Sequence, residues 1–187
     1  IRKVLRHFNV PFTYIKNSDI DDPSFSRGVI DFIKVCNVVK TFKNTRILQI
    51  GPRPFDFWSV IVNEGELLEK FGIELSPIPL GELTSYMNDL IKKDDPRIED
   101  TKDVYRKWAD IQIEDRDFTK VAALKLAMKD KMKEYGCNCG TIQCWTELQR
   151  EIGILPYASE ALLQTEGMPV TCETDINGTI SEVLAEA

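Results

Sequence analysis

Glu173 is the residue whose type and position point most directly to chemistry. It follows the apolar run Pro169-Val170-Thr171-Cys172 and precedes Thr174-Asp175-Ile176-Asn177-Gly178, so a carboxylate stands where a strand should end. In parallel α/β sheets, ligands collect at the carboxyl edge of the strands. A carboxylate held partly desolvated at such an edge either binds a divalent metal or shuttles a proton. Asp175 has two readings, a second functional carboxylate or the N-cap of the helix that follows. Asn177-Gly178 shapes the turn into that helix.

Two other strand ends carry polar or aromatic residues. Gly51-Pro52-Arg53-Pro54 follows Arg46-Ile47-Leu48-Gln49-Ile50 and can present Arg53 to an anionic or polyhydroxyl ligand, or leave it salt-bridged in an ordinary turn. It lacks the repeated glycines of a dinucleotide loop and the Gly-Lys-Ser/Thr of a phosphate loop. At Gln143-Cys144-Trp145, an amide and an aromatic ring on one side of a pleat suit sugar recognition, with core packing of Trp145 as the alternative. Cys137, Cys139 and Cys144 do not form two Cys-x-x-Cys pairs, so buried strand thiols explain them better than zinc. The only histidine is His7, which excludes a Ser-His-Asp type of triad within these residues.

The elements that position these residues alternate. An amphipathic helix runs from Ser24 through Val29, Phe32, Ile33, Cys36 and Val39 to about Lys43-Asn44, with Val10 to Ile15 a possible strand before it. Strands are expected at 46–50, 73–78, 139–145 and 168–172. Helices are expected at 57–71, 81–92, 146–152, 158–166 and after Asn177. Another, capped by Asp117 or Thr119, is lined by Val121, Leu124, Met128 and Met132 and stopped by Gly136. The charged stretch from Lys92 to Asp117 reads as a surface excursion, partly helical near Tyr105. This order implies an α/β fold, a three-layer Rossmann-like or flavodoxin-like parallel sheet flanked by helices.

The bulk numbers agree with a folded domain. The chain has 187 residues, 43% hydrophobic and 29% charged. A net charge of −6, with basic residues interspersed among acids, argues against nucleic acid. No apolar run suits a bilayer span or a signal peptide, and five cysteines in such a chain read as reduced thiols. The expectation is a cytoplasmic protein with no membrane partner. A start at Ile1 and an uncapped helical pattern at the end suggest a segment of a larger protein.

The blocks Gly140-Thr141-Ile142-Gln143-Cys144-Trp145, Gly153-Ile154-Leu155-Pro156 and Gly167 to Asp175 with Asn177-Gly178 resemble the middle domain of the L-fucose isomerase and L-arabinose isomerase superfamily. Gly51-Pro52-Arg53-Pro54 and Phe71-Gly72-Ile73 fit the same pattern less specifically. The resemblance implies that residues 1–44 are a connection from a preceding domain plus a first helix. Residues 45–187 would be the middle α/β domain, truncated before a C-terminal domain. It also implies a Mn²⁺-dependent aldose–ketose isomerase, working through an enediol on a small-molecule sugar and forming a homo-oligomer when full length. Glu173 then becomes a metal ligand and acid/base, with the partner Asp and His beyond Ala187. Arg53, Gln143 and Trp145 become substrate contacts, and Asp175 and Asn177 support the site from behind. On this reading the segment alone is inactive. The alternative is a non-catalytic sugar-binding or sensing module.

Overall fold

The computed structural model describes residues 1–16 and 18–187, in two compact units, residues 1–41 with Ala187, and 42–186. The first unit contains α1 (Arg2–His7) and most of α2 (Pro23–Lys43), and neither helix has a buried residue. Val29, Ile30, Phe32, Ile33, Val35 and Val39 are all exposed along α2. The strand expected at Val10 to Ile15 does not form, and those residues belong to no helix or strand.

The second unit is an α/β sandwich. Its strands β1 (Arg46–Ile50), β2 (Glu74–Ile78), β3 (Cys139–Ile142) and β4 (Val170–Cys172) pair in parallel in the order β2-β1-β3-β4. The pleat sends neighbouring residues of β1 to opposite faces. Leu48 and Ile50 join Leu83 and Met87 of α4 (Leu80–Lys92) and Leu124, Met128 and Met132 of α6 (Asp115–Glu134). Ile47 meets Ile73, Leu67 of α3 (Glu64–Phe71), and Ile176 and Val183 of α9 (Ile176–Glu186). Helices therefore cover both faces of the sheet, which makes the three layers.

Several expected elements of this unit differ. Residues 57–71 are not one helix: a 3₁₀ turn at Trp58–Val60 is followed by α3, whose N-cap Asn63 accepts a hydrogen bond from the Glu66 N–H at 3.1 Å. The stretch read as an excursion is α5 (Arg97–Trp108), which buries Ile98, Thr101, Lys102 and Tyr105. Its buried Lys102 ammonium is neutralised by Asp115 at 2.7 Å, so a charged residue occupies an inward position. The long helix α6 begins at Asp115, two to four residues before the expected caps.

Candidate functional site

In the strand order β2-β1-β3-β4 the connections leave β1 in one direction and enter β3 on its other side. The crevice at the carboxyl ends of β1 and β3 is where open α/β sheets bind ligands. The backbone ladder continues one step past the strand ends. Gly51 N–H donates to Ile78 O at 2.8 Å, Gln143 N–H to Ile50 O at 2.8 Å, and Thr174 N–H to Ile142 O at 3.2 Å. The loops bearing Arg53, Gln143 and Glu173 are thereby drawn to one edge.

Glu173 and Thr174 follow β4 with φ of 66° and 56°, both in the left-handed region. That conformation is costly for a branched residue such as Thr, on the order of 1–3 kcal/mol, and is maintained only where surroundings enforce it. Here Thr174 is buried and its hydroxyl donates to Pro52 O at 3.1 Å, fastening the loop after β4 to the loop after β1. Glu173 is partly buried, and no other described residue hydrogen-bonds or ion-pairs with its carboxylate. Asp175 Oδ1 accepts the Gly178 N–H at 2.9 Å, which is N-cap geometry for α9. Asn177 is exposed in the first turn of that helix.

Gln143, Cys144 and Trp145 lie beyond the end of β3, not within it as expected, because the chain leaves the pleat at Gln143 and turns irregularly through Cys144–Leu148, which also shortens the helix expected at 146–152 to α7 (Gln149–Ile152). Gln143 is packed against Gly51, where a Cβ would come within 2.7 Å of its Oε1. With φ of 78°, Gly51 suits the position on both counts. Trp145 is half exposed, its ring 6.0 Å from that of Phe57, so core packing does not account for it. Arg53 forms no salt bridge with any described residue. Its Nη1 donates to Pro54 O at 3.1 Å and Phe55 O at 3.0 Å, and the guanidinium lies 4.9 Å from the Trp58 ring centroid. Arg53 and Thr174 both line a cleft of about 260 Å³ beside the end of β1.

Behind Glu173 is a cluster that the sequence pattern does not reveal. Glu160, on α8 (Tyr157–Thr165), has its carboxyl oxygens 3.1 and 3.4 Å from Cys172 Sγ, which donates to them. Burial pushes the Glu160 carboxyl up to about 7. Cys144 lies against the same group. Glu160 and Cys144 compete for the single Cys172 proton: when Cys172 donates to Cys144, with the Glu173 N–H adding to it, the Cys144 thiol is drawn down to about 7 and Cys172 is raised as the donor. The one available signal is an acid beside the buried stripe Ser159, Leu162 and Leu163. Cys139 is unlike these, a fully buried thiol pushed up to about 12 by desolvation.

Among the described residues no three of His, Cys, Asp and Glu are grouped as a metal site. The donor set of these residues therefore does not fit a complete divalent-ion site, since Glu173 supplies a single carboxylate. None of the described helices is long and apolar enough to cross a membrane.

Fold and strand-edge geometry together define an α/β protein with a candidate small-ligand site at the carboxyl edge of a parallel sheet. No family model matches the chain. It is 24% identical over 179 residues to the sulfoquinovose isomerases of Priestia aryabhattai and Priestia megaterium. It is 22% identical over 178 residues to the sulfoquinovose isomerase of Alkalicoccus urumqiensis. Each match covers 95% of this chain, which spans about two fifths of the length of these curated relatives, 39% to 40%.

Proposed function

We propose that this chain is part of a sugar isomerase that interconverts an aldose and its ketose, with Glu173 as the residue that moves the proton. The observation that carries the reading is similarity along 95% of the chain to proteins named sulfoquinovose isomerase, combined with a strand-edge carboxylate left free in a left-handed turn. A sulfonated sugar, sulfoquinovose, is accordingly the first substrate to test.

Aldose–ketose conversion by proton transfer requires a base that removes the proton from C2 of the aldose. Its conjugate acid returns a proton to C1, and a second proton passes between the two oxygens. A carboxylate suits the first task because it is a base before the transfer and an acid after it. Glu173 has no competing described partner on its oxygens, and its backbone is fixed by Thr174 to the β1 loop. Gln143 and Trp145 offer an amide and a ring to hydroxyls and C–H faces of the sugar. Asp175 is committed to the cap of α9. Manganese, if the protein uses it, would take Glu173 as one ligand and its other ligands from outside these residues.

The test is conversion of sulfoquinovose to its ketose by the whole protein, with and without Mn²⁺, for the native chain and for Glu173→Gln. Turnover by the native protein, lost in the variant with the unfolding midpoint retained, supports the reading. Tight sugar binding with no turnover by the native protein would favour a sugar-binding module instead.

A further inference from the structure

Most basic residues bordering the core of the α/β unit are matched to acids. Arg97 is paired with Asp95 and Asp130, Lys125 and Lys129 with Glu166, and Lys131 with Glu82 and Glu134. Arg53 differs. No described carboxylate pairs with it, although the chain carries 30 acids to 24 bases. It is nonetheless held in place: Nη1 is spent on the Pro54 and Phe55 carbonyls, and the guanidinium stacks on Trp58. Those contacts orient the guanidinium and leave Nε and Nη2 without a described partner. That edge presents two parallel N–H donors, the arrangement that binds an oxyanion through two oxygens.

Arg53 lines the cleft beside β1, whose wall includes Val60, Ile61, Ile176 and Thr174, the residue next to Glu173. One other charged side chain, Glu64, borders this cleft. We propose that Arg53 binds an anionic substituent of the sugar, through Nε and Nη2, and thereby makes this edge selective for an acidic sugar over a neutral one. The inference rests on the isomerase reading for its substrate, but the anion contact is separable from the chemistry. Arg53 would act on a part of the ligand that does not react, so it lowers KM without entering kcat. Glu64 borders the same cleft, and its negative charge counts against a bound anion.

The experiment compares sulfoquinovose with glucose, its neutral counterpart, in the whole protein. Arg53→Gln should raise KM for sulfoquinovose by about ten- to a hundred-fold, the range for a lost charge-assisted contact, and by far more than it raises KM for glucose, with the larger part of the effect in KM rather than kcat. Arg53→Lys should recover part of the loss, and Glu64→Gln should shift sulfoquinovose affinity the opposite way while leaving glucose alone. The Arg53 effect should shrink as salt is raised. Equal losses for both sugars, or an unchanged KM for sulfoquinovose in a protein that still isomerises it, would overturn the Arg53 assignment and leave the isomerase reading standing. If the native protein isomerises neither sugar, the isomerase reading falls. Calorimetric binding of sulfoquinovose to native and Arg53→Gln protein then decides the anion contact alone, with equal affinity overturning it.

Discussion

Replacing Glu160 by glutamine should stabilise the fold, and more so as pH rises. The Glu160 carboxyl is desolvated beneath the site, with the Cys144, Glu182 and Glu173 charges adding to the penalty on its ionised form, and it titrates near 7 against an ordinary 4.5. Below pH 4.5 the acid is neutral in both folded and unfolded chains and contributes no pH-dependent difference. Between 4.5 and 7 the unfolded chain releases its proton while the folded chain retains it, so the folded state progressively loses ground. Above 7 the folded state also ionises and the loss reaches its full size. At about 1.4 kcal/mol per pH unit between 4.5 and about 7, the folded state loses about 1.4 kcal/mol by pH 5.5 and about 3 kcal/mol by pH 8. The amide introduced by Glu160→Gln would mimic the neutral acid without titrating, and its carbonyl can still accept the Cys172 S–H. Urea unfolding of native and variant protein at pH 5.5 and pH 8 measures the gain, and both points lie above the sequence pI near 5.0. A stability gain that is absent, or that shrinks between pH 5.5 and 8, would refute the claim that burial holds this carboxyl neutral.

Two further substitutions separate scaffold from chemistry. Asp175→Ala removes the cap on Gly178 and should cost about 1 kcal/mol in thermal unfolding, while Asp175→Ser largely restores it and both retain turnover. Lost turnover at undiminished stability would instead place Asp175 in the reaction. Gly51→Ala must adopt φ near 78° and displace Gln143, so it should lose about 1–2 kcal/mol and raise the KM for sugar, whereas an unchanged KM would remove Gln143 from the binding surface.

The chain's own pattern marks the sheet and the strand-end position of Glu173 well, for a local reason. β1 and β4 are short apolar runs closed by Gly51-Pro52 and by the acidic step at Glu173, and Gly72, Gly153 and Gly167 all take the left-handed conformation that ends their helices. Residues 57–71 mislead because Val60-Ile61-Val62 continues an apolar spacing, yet the chain runs extended from Ile61 until Asn63 supplies a cap. Helix α5 is hidden because one of its inward positions is a lysine, which reads as surface until Asp115 is brought beside it. The Glu160–Cys172–Cys144 cluster is tertiary. Those side chains meet only once α8 has packed back against β4 and the sheet has aligned Ile142 with Cys172. The strain at Thr174 is equally invisible, since it is imposed by a carbonyl 122 residues away in sequence.

The central claim is that Glu173 transfers a proton between adjacent carbons of a sugar. It is tested most directly by isomerisation in D₂O with the whole protein, read by NMR. The account predicts solvent deuterium at C1 of the ketose formed from the aldose, because the base exchanges its proton before returning it, and no conversion above background in Glu173→Gln. Ketose formed without any deuterium, or native-like turnover by Glu173→Gln, would contradict it.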